Sequence, residues 1–331
     1  MDLALFYYLL LGFAVLMYVV LDGFDLGLGI LYPWFQSEGE RDHMMRSISH
    51  VWDGNETWLV FGGVVLFAAF PAAYAGILAT LYTPIIIMLI GLIFRGVAFE
   101  YRFKSHRSKP WWDKSFWLGS TVATFCQGAI LGAVVQGVEA GPGELGALAW
   151  LSPFSIFTGF ALMVAYALLA CCYLVLKSRD PMLARAAHLG RRLVVAIMMI
   201  LLVLSLWMVL ANEEVSARWF DGLNLLWLSP LPLLSAVLGF LLYRDLDGEP
   251  HETRPFWLAC GLFLLGFGGL VVSLFPYLIP HQLTLWQASA PDSSLTFLLP
   301  SIAIFLPLIC AYTLWGYRIF SGKVEDFEEG Y

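Results

Sequence analysis

The sequence predicts an all-α polytopic membrane protein with nine transmembrane helices, and three observations support this fold class. Of its 331 residues, 60% are hydrophobic and only 13% are charged, whereas soluble domains have about 45–50% and about 25%. Long uncharged runs recur from one end of the chain to the other, which the core helices of a soluble protein would not explain. Lys and Arg also concentrate in alternate connecting segments, as they do in membrane proteins.

Nine stretches meet the requirement of about 20 mostly apolar residues for a helix that crosses the hydrocarbon core. The second stretch is the least typical, because it is short, begins with Asp53 and Glu56, and is followed by Pro71. The predicted spans are 3–31, 52–70, 75–100, 116–137, 153–177, 192–212, 223–243, 256–277 and 296–320.

The distribution of basic residues predicts the orientation. Sixteen of the 18 Lys and Arg residues lie in segments that follow odd-numbered spans; Arg218 alone lies on the other side, and Arg95 lies inside a span. By the positive-inside rule, the N-terminus is outside and the C-terminus is in the cytoplasm. We expect two four-helix bundles and one peripheral helix. The first helix should be retained, because no basic segment precedes it and no cleavage site follows.

Ionisable residues inside the predicted spans are the main candidates for function. Each costs roughly 2.5–3.5 kcal/mol at the centre of a membrane helix, so such residues usually have a role. Three pairs qualify, and each lies in a polar segment at the end of an apolar run: Asp22 and Asp25 in "LDGFDLGLG", Asp53 and Glu56 in "VWDGNETWLV", and Arg95 and Glu100 in "FRGVAFEYR".

With the predicted topology, all three pairs converge on the cytoplasmic half of the membrane. We expect Arg95 to partner a carboxylate such as Asp53, or an anionic group of a cofactor. The remaining carboxyl groups would lie in a setting with little water. Carboxyl groups placed in this way can exchange protons, which is what a proton relay requires.

The same residues also have structural interpretations. Glu100 could extend to the membrane interface without any further role. Asp22 could cap a break in the helix, and the small residues Gly23 and Gly27 favour close helix packing. Asp53 is the strongest candidate for chemistry, because the neighbouring Gly54 can keep a polar opening.

No residue of this chain is a convincing ligand for a haem or a metal ion. All six histidines lie in loops or at their margins, and only His50 is close enough in sequence to join the acidic cluster. The five cysteines lie in apolar runs without a CxxC motif, so we interpret them as buried small side chains. Trp52 and Trp58 flank the acidic segment and could pack against a flat cofactor. The sequence has no phosphate loop, nucleotide fingerprint or nucleic-acid surface.

Four motifs resemble subunit II of the cytochrome bd-type quinol oxidases. They are "LDGFDLGLG" at the end of the first span, "VWDGNETWLV" and "FAAFP" in the second, and "FRGVAFEYR" at the end of the third. The match covers residues 21–102, and nine spans with an external N-terminus agree with it. The chain is similar to the shorter members, including those of cyanide-insensitive oxidases.

The resemblance implies a complex in the bacterial cytoplasmic (inner) membrane that oxidises quinol and reduces O2 to water. It places two haems b and one haem d in a partner, subunit I, and none on this chain. Subunit II would pack against subunit I as a pseudo-symmetric partner. A small single-span accessory subunit is common in this family, and some relatives hold a structural quinone in subunit II.

The resemblance also implies roles for particular residues. Asp53, with Glu56, corresponds to the acidic part of a cytoplasmic proton path toward the haems, and Asp22 and Asp25 line the same polar interior. The residues expected near the cofactor-facing interface are Trp52, Arg95 and Glu100.

Two hypotheses from other classes remain open at this point. A secondary transporter would carry polar residues near the midplane of both halves, whereas the acidic pairs here are confined to the first three spans. A purely structural or assembly subunit would carry the same carboxyl groups without using them to transfer protons.

Overall fold

The computed structural model describes residues 2–105, 107–137, 148–248 and 250–324, which form thirteen α-helices, one 3-10 turn and a two-stranded hairpin. The elements in chain order are α1 (Leu3–Leu31), the 3-10 turn Tyr32–Trp34, α2 (Glu38–Ile48), α3 (Trp52–Ala69), α4 (Pro71–Arg102), α5 (Lys109–Gln136), α6 (Pro153–Lys177), α7 (Met182–Ala211), α8 (Glu213–Phe220), α9 (Asn224–Leu228), α10 (Pro230–Asp245), α11 (Arg254–Leu274), β1 (Tyr277–Ile279), β2 (Leu283–Thr284), α12 (Leu285–Ala288) and α13 (Asp292–Ile319).

Eight helical segments of the described chain are long and apolar enough to cross a membrane, counting α9 and α10 as one. The chain is therefore an all-α polytopic membrane protein. The second predicted span corresponds to α3, which has 18 residues and is not among the eight. Its first turns contain Asp53, Asn55 and Glu56, and these polar residues lower its mean hydropathy.

Several helices begin before the predicted spans. Helices α5 and α7 start at Lys109 and Met182, seven and ten residues earlier than predicted, because their first turns are polar and fall outside the apolar windows. The eighth predicted span is too long at its end, since α11 stops at Leu274 and Pro276 follows in the turn before β1. Strands β1 and β2 then pair antiparallel, with Tyr277 opposite Thr284.

Helix α2 was not predicted, because it is short and polar. Ser37 caps its first turn: the Ser37 hydroxyl accepts a hydrogen bond from the Glu40 backbone N–H, and the Glu40 carboxylate accepts one from the Ser37 N–H. This reciprocal capping box is encoded as Ser-x-x-Glu and is a sequence signal for a helix start.

Helix α1 lies at the centre of the first half of the chain and packs against α3, α5 and α6. A Cβ atom added at Gly27 would lie 2.0 Å from the carbonyl oxygen of Tyr166, and one added at Gly29 would lie 2.1 Å from Oγ of Ser120. The glycines of "LDGFDLGLG" therefore allow α1 to approach α6 closely at Gly27 and α5 at Gly29, which agrees with the packing interpretation.

The later helices expose large apolar side chains. Of the most apolar 18 residues of each helix, only 11% are buried in α7 and α11 and only 6% in α13, compared with 72% in α6. Their exposed side chains include Leu206 on α7, Leu264 on α11 and Phe305 on α13. All five cysteines are free: three are buried, and Cys260 and Cys310 are half-buried.

Candidate functional site

The centre of the candidate site is Arg95, which α4 carries into the interior of the chain. Its Nη1 donates a hydrogen bond to Oδ1 of Asp22 on α1 at 2.7 Å, and its Nη2 donates to Oε1 of Glu56 on α3. The side chains of Arg95 and Asp22 are completely buried, while that of Glu56 is 25% exposed. One guanidinium therefore joins three helices.

Asp25 lies one turn further along α1, and an amide holds it in place. Nδ2 of Asn55 donates to Oδ2 of Asp25 at 2.8 Å and to the carbonyl oxygen of Leu21 at 3.3 Å. The hydroxyl of Tyr317 on α13 donates to Oδ1 of Asn55 at 2.8 Å. Asn55 thus connects the acidic pair of α1 to the last helix.

The charges of this group do not balance if every carboxyl is ionised. Asp22, Asp25 and Glu56 surround one cation, and two of the three are completely buried. Oδ2 of Asp22 and Oδ1 of Asp25 are buried and have no hydrogen-bond partner among the described residues. Because uncompensated buried charge is very costly, the group needs protons or water molecules to satisfy it.

A second row of hydrogen-bonded polar side chains begins at Tyr18, one turn before Asp22 on α1. Nε2 of Gln127 on α5 donates to the Tyr18 hydroxyl at 2.6 Å, and the Tyr166 hydroxyl on α6 donates to Oε1 of Gln127 at 3.1 Å. Sequence reasoning missed these residues. The signal that could have found them is Gln127, an amide in the middle of an apolar span.

Two predicted members of the acidic cluster do not join it. Asp53 is exposed, and Arg95 pairs with Asp22 and Glu56 instead of Asp53. Glu100 is also exposed and forms an ion pair with Lys104 at 3.0 Å. The prediction that all five carboxyl groups meet was therefore wrong.

Helical geometry allows both corrections. Positions three apart differ by about 60° around the helix axis, so the rotation of α3 can leave Asp53 exposed while Glu56 reaches Arg95. Positions five apart differ by about 140°, which places Glu100 away from Arg95 on α4.

The two tryptophans that flank the acidic segment have different surroundings. Trp52 is half-buried and stacks on Phe99 of α4, with ring centroids 5.0 Å apart and an interplanar angle of 16°. Trp58 is completely buried and packs edge-to-face against Phe13 and Phe61. Trp58 therefore belongs to the interior packing of this chain.

A separate ionic cluster fixes α2 against α4 and α5 and was not predicted. Arg102 is completely buried; its Nε donates to Asp113 and its Nη1 to Asp42, both at 2.5 Å. The Tyr32 hydroxyl and Nη1 of Arg41 also donate to Asp113. These contacts tie the segment after α1 to the last turn of α4 and the first turns of α5.

Within the described residues, no group of three or more His, Cys, Asp and Glu side chains is arranged to hold a metal ion. The structure places His50 in the link before α3, where its ring stacks on Phe320 with centroids 4.2 Å apart.

The fold and this interior define a class: a polytopic membrane protein whose first helices enclose a shared cation and several carboxyl groups. The chain belongs to the family of cytochrome bd terminal oxidase subunit II, whose family model matches residues 3–320. The resemblance noted from the four motifs is thereby confirmed.

Relatives from distant bacteria match nearly the whole chain. Subunit 2 of the cytochrome bd-I ubiquinol oxidase of Escherichia coli K12 is 26% identical, covering 97% of this chain and 96% of that protein. Subunit 2 of the cytochrome bd ubiquinol oxidase of Bacillus subtilis 168 is 27% identical and covers 93% of each. The structure of bd oxidase from Geobacillus thermodenitrificans has a chain of similar fold, with a TM-score of 0.78 and 17% identity, over 96% of this chain and 99% of that one.

Proposed function

We propose that this chain is subunit II of a terminal quinol:O2 oxidoreductase in the bacterial inner membrane, and that it supplies part of a cytoplasmic proton path. The names of the Escherichia coli and Bacillus subtilis relatives support quinol oxidation by the complex. The observation that carries the proton path is the Arg95 group, in which three carboxyl groups surround one cation. Such a group can accept and release protons with little rearrangement.

The proposed topology has nine spans, with the N-terminus outside and α3 as the second span. Eighteen helical residues rise about 27 Å, close to the hydrocarbon thickness of about 30 Å. If α3 did not cross, the five basic residues from Arg102 to Lys114, where α4 ends and α5 begins, would lie outside, against the positive-inside rule. The low burial of α13 supports its place as a peripheral ninth helix beside two four-helix bundles.

The proposed path uses both faces of α3. Asp53 is exposed at the start of this helix, and Glu56 is partly exposed and bonded to Arg95. Protons would pass between Asp53 on the surface and the interior carboxyls through Glu56. The same outer face carries exposed apolar side chains such as Val60, Val64 and Phe67, which suit contact with a protein partner.

We propose that this partner is subunit I and that it holds the haems, two of type b and one of type d. Trp52 and Arg95 would then support the interface from inside this chain. Glu100, which is exposed beside Lys104, would lie at the margin of that interface. A bound structural quinone and a small single-span accessory subunit are further possibilities that the family suggests.

The reaction of the complex explains why a proton path is needed. Reduction of O2 to water consumes protons, whereas oxidation of quinol releases them. If the consumed protons come from the cytoplasm and the released ones leave outside, charge is separated without a pump. The residues of this chain would hold and transfer the protons, and the redox steps would occur in the partner.

The test compares Asp53→Asn and Glu56→Gln with Glu213→Gln, at an exposed carboxyl at the start of α8, as the control in the purified complex. We expect the first two variants to retain normal haem content and to lose oxidase turnover by about a hundredfold, within the usual range for lost proton transfer. Turnover close to wild type for both would remove them from the path.

A structural or assembly role is the second candidate, and one observation favours it: Arg95 joins three helices and could simply hold them together. In that case Glu56→Gln would lower the haem content and the yield of the complex instead of its turnover. The secondary-transporter hypothesis loses its support, because the chain belongs to an oxidase family.

A further inference from the structure

A small cavity lies where the start of α3 meets the last turns of α13. It has a volume of about 20 Å³, which is enough for one water molecule. Both of its walls belong to helix ends that the proposed topology places on the cytoplasmic side. Its lining residues are His50, Val51, Gly54, Asn55, Tyr312, Thr313, Gly316 and Tyr317.

The lining contains a polar group that needs a partner. The side chain of Thr313 is 8% exposed, and its buried Oγ1 has no hydrogen-bond partner among the described residues. A buried hydroxyl without a partner is unfavourable, and a water molecule in a polar cavity is the usual way to satisfy it.

The inner end of the cavity is one side chain away from Asp25. Asn55 lines the cavity and donates to Oδ2 of Asp25 at 2.8 Å, while Tyr317 lines it and donates to Asn55. The second oxygen of Asp25 has no partner among the described residues. An amide does not transfer protons readily, so the proton would pass through water beside Asn55 to Oδ1 of Asp25, and Asn55 is suited to position the carboxyl and that water molecule.

The outer end of the cavity is formed by His50. This residue is half-buried, and its ring stacks on Phe320 immediately after α13. Burial lowers the pKa of the His50 imidazole. A neutral ring at the entrance does not oppose the approach of a proton in the way that a fixed positive charge would.

We propose that the cavity between α3 and α13 is a hydrated entrance through which cytoplasmic protons reach Asp25, with Asn55 and Tyr317 as positioning residues. This entrance is separate from exposed Asp53, which points outward from α3. The inference rests on the proposed proton path, because it names a second way into the same group of carboxyls.

Gly316 lines the cavity and has room for a side chain. A Cβ atom added at Gly316 meets no other atom within 4 Å, and the same is true of Gly266 on α11, which does not line the cavity. Gly316→Val places two methyl groups beside the cavity and should make it less polar and less hydrated, and Gly266→Val is a matched control for the effect of the substitution on a helix.

The experiment measures quinol oxidase turnover, in H2O and in D2O, of the complete purified complex carrying each variant. We expect Gly316→Val to lower turnover about tenfold and to raise the ratio of rates in H2O and D2O, while Gly266→Val leaves both unchanged. Equal turnover and equal ratios for the two variants would overturn the proposal.

Two further measurements keep the outcome decisive. If Gly316→Val does not assemble, Thr313→Val removes the hydroxyl with little change in shape, and we expect the same slower turnover and raised ratio. A wild-type rate for Thr313→Val, or a high-resolution map without water beside Thr313 Oγ1, would overturn the proposal. If the cavity variants are normal while Asp53→Asn and Glu56→Gln are slow, the proposed function stands and only this entrance is wrong.

Discussion

The guanidinium of Arg95 donates a hydrogen bond to Asp22 at 2.7 Å, and both side chains are completely buried. The two residues are 73 positions apart and belong to α1 and α4. Both side chains are shielded from bulk solvent, so each charge depends on the other for its stability in the interior.

We predict that Arg95→Gln destabilises the assembled complex by about 3–5 kcal/mol, the usual cost of leaving a buried charge without its partner. The measurement is thermal unfolding of the purified complex, combined with the single Asp22→Asn variant and the double variant. The double variant should be more stable than the sum of the single effects predicts.

Lys104→Gln is the control for this cycle, because its ion pair with Glu100 is exposed and exposed pairs contribute little. Additive effects of Arg95→Gln and Asp22→Asn would show that the two side chains do not act as a pair.

Close packing at Gly27 gives a second prediction. Gly27→Ala should destabilise the complex by about 1–3 kcal/mol, because its Cβ would overlap the Tyr166 carbonyl on α6. Gly269→Ala on α11 is the control, since a Cβ there meets no atom within 4 Å. Differential scanning of the two variants checks the prediction, and it would be wrong if both shifted the melting temperature alike.

The ionic cluster around Arg102 predicts a local effect on α2. Asp113→Asn removes the negative charge and one of the two oxygens that accept from Arg102, Arg41 and Tyr32, and it should loosen α2 by about 1–3 kcal/mol. Limited trypsin digestion should then cut within 38–48 about ten times faster than in the wild type. Cleavage at the wild-type rate, with oxidase turnover also unchanged, would show that the other contacts of α2 suffice.

The orientation can be tested with single cysteines at exposed positions. Asp221→Cys lies between α8 and α9, on the predicted outer side, and Lys104→Cys lies between α4 and α5, on the predicted inner side. A membrane-impermeant maleimide should label Asp221→Cys in intact cells, and Lys104→Cys only after the cells are opened. The wild type, with its five native cysteines, provides the background. Labelling of Lys104→Cys in intact cells would reverse the proposed topology.

Much of the site was predictable from the identity of residues inside apolar runs. Asp22, Asp25 and Arg95 stand out in the sequence, because a charged side chain in a membrane helix needs a partner or a function. The structure places all three in one buried group. Their depth in the membrane follows from their positions along the predicted helices, which can be counted in the sequence.

Which of the acidic residues turn inward was not predictable from spacing alone. Asp53 and Glu56 are three positions apart, yet Glu56 reaches Arg95 and Asp53 is exposed. The rotation of α3 about its axis depends on how it packs against α1, α4 and α13, and these contacts join residues far apart in the chain.

The amino-acid sequence by itself determined the class of protein, the apolar helices and the presence of charged residues that the membrane interior does not tolerate alone. Apolar length and the alternation of basic segments are local properties, so they can be recognised without a fold. Only the tertiary structure decided that Asn55 connects Tyr317 to Asp25, since that contact bridges 262 residues and depends on the placement of the last helix beside α3.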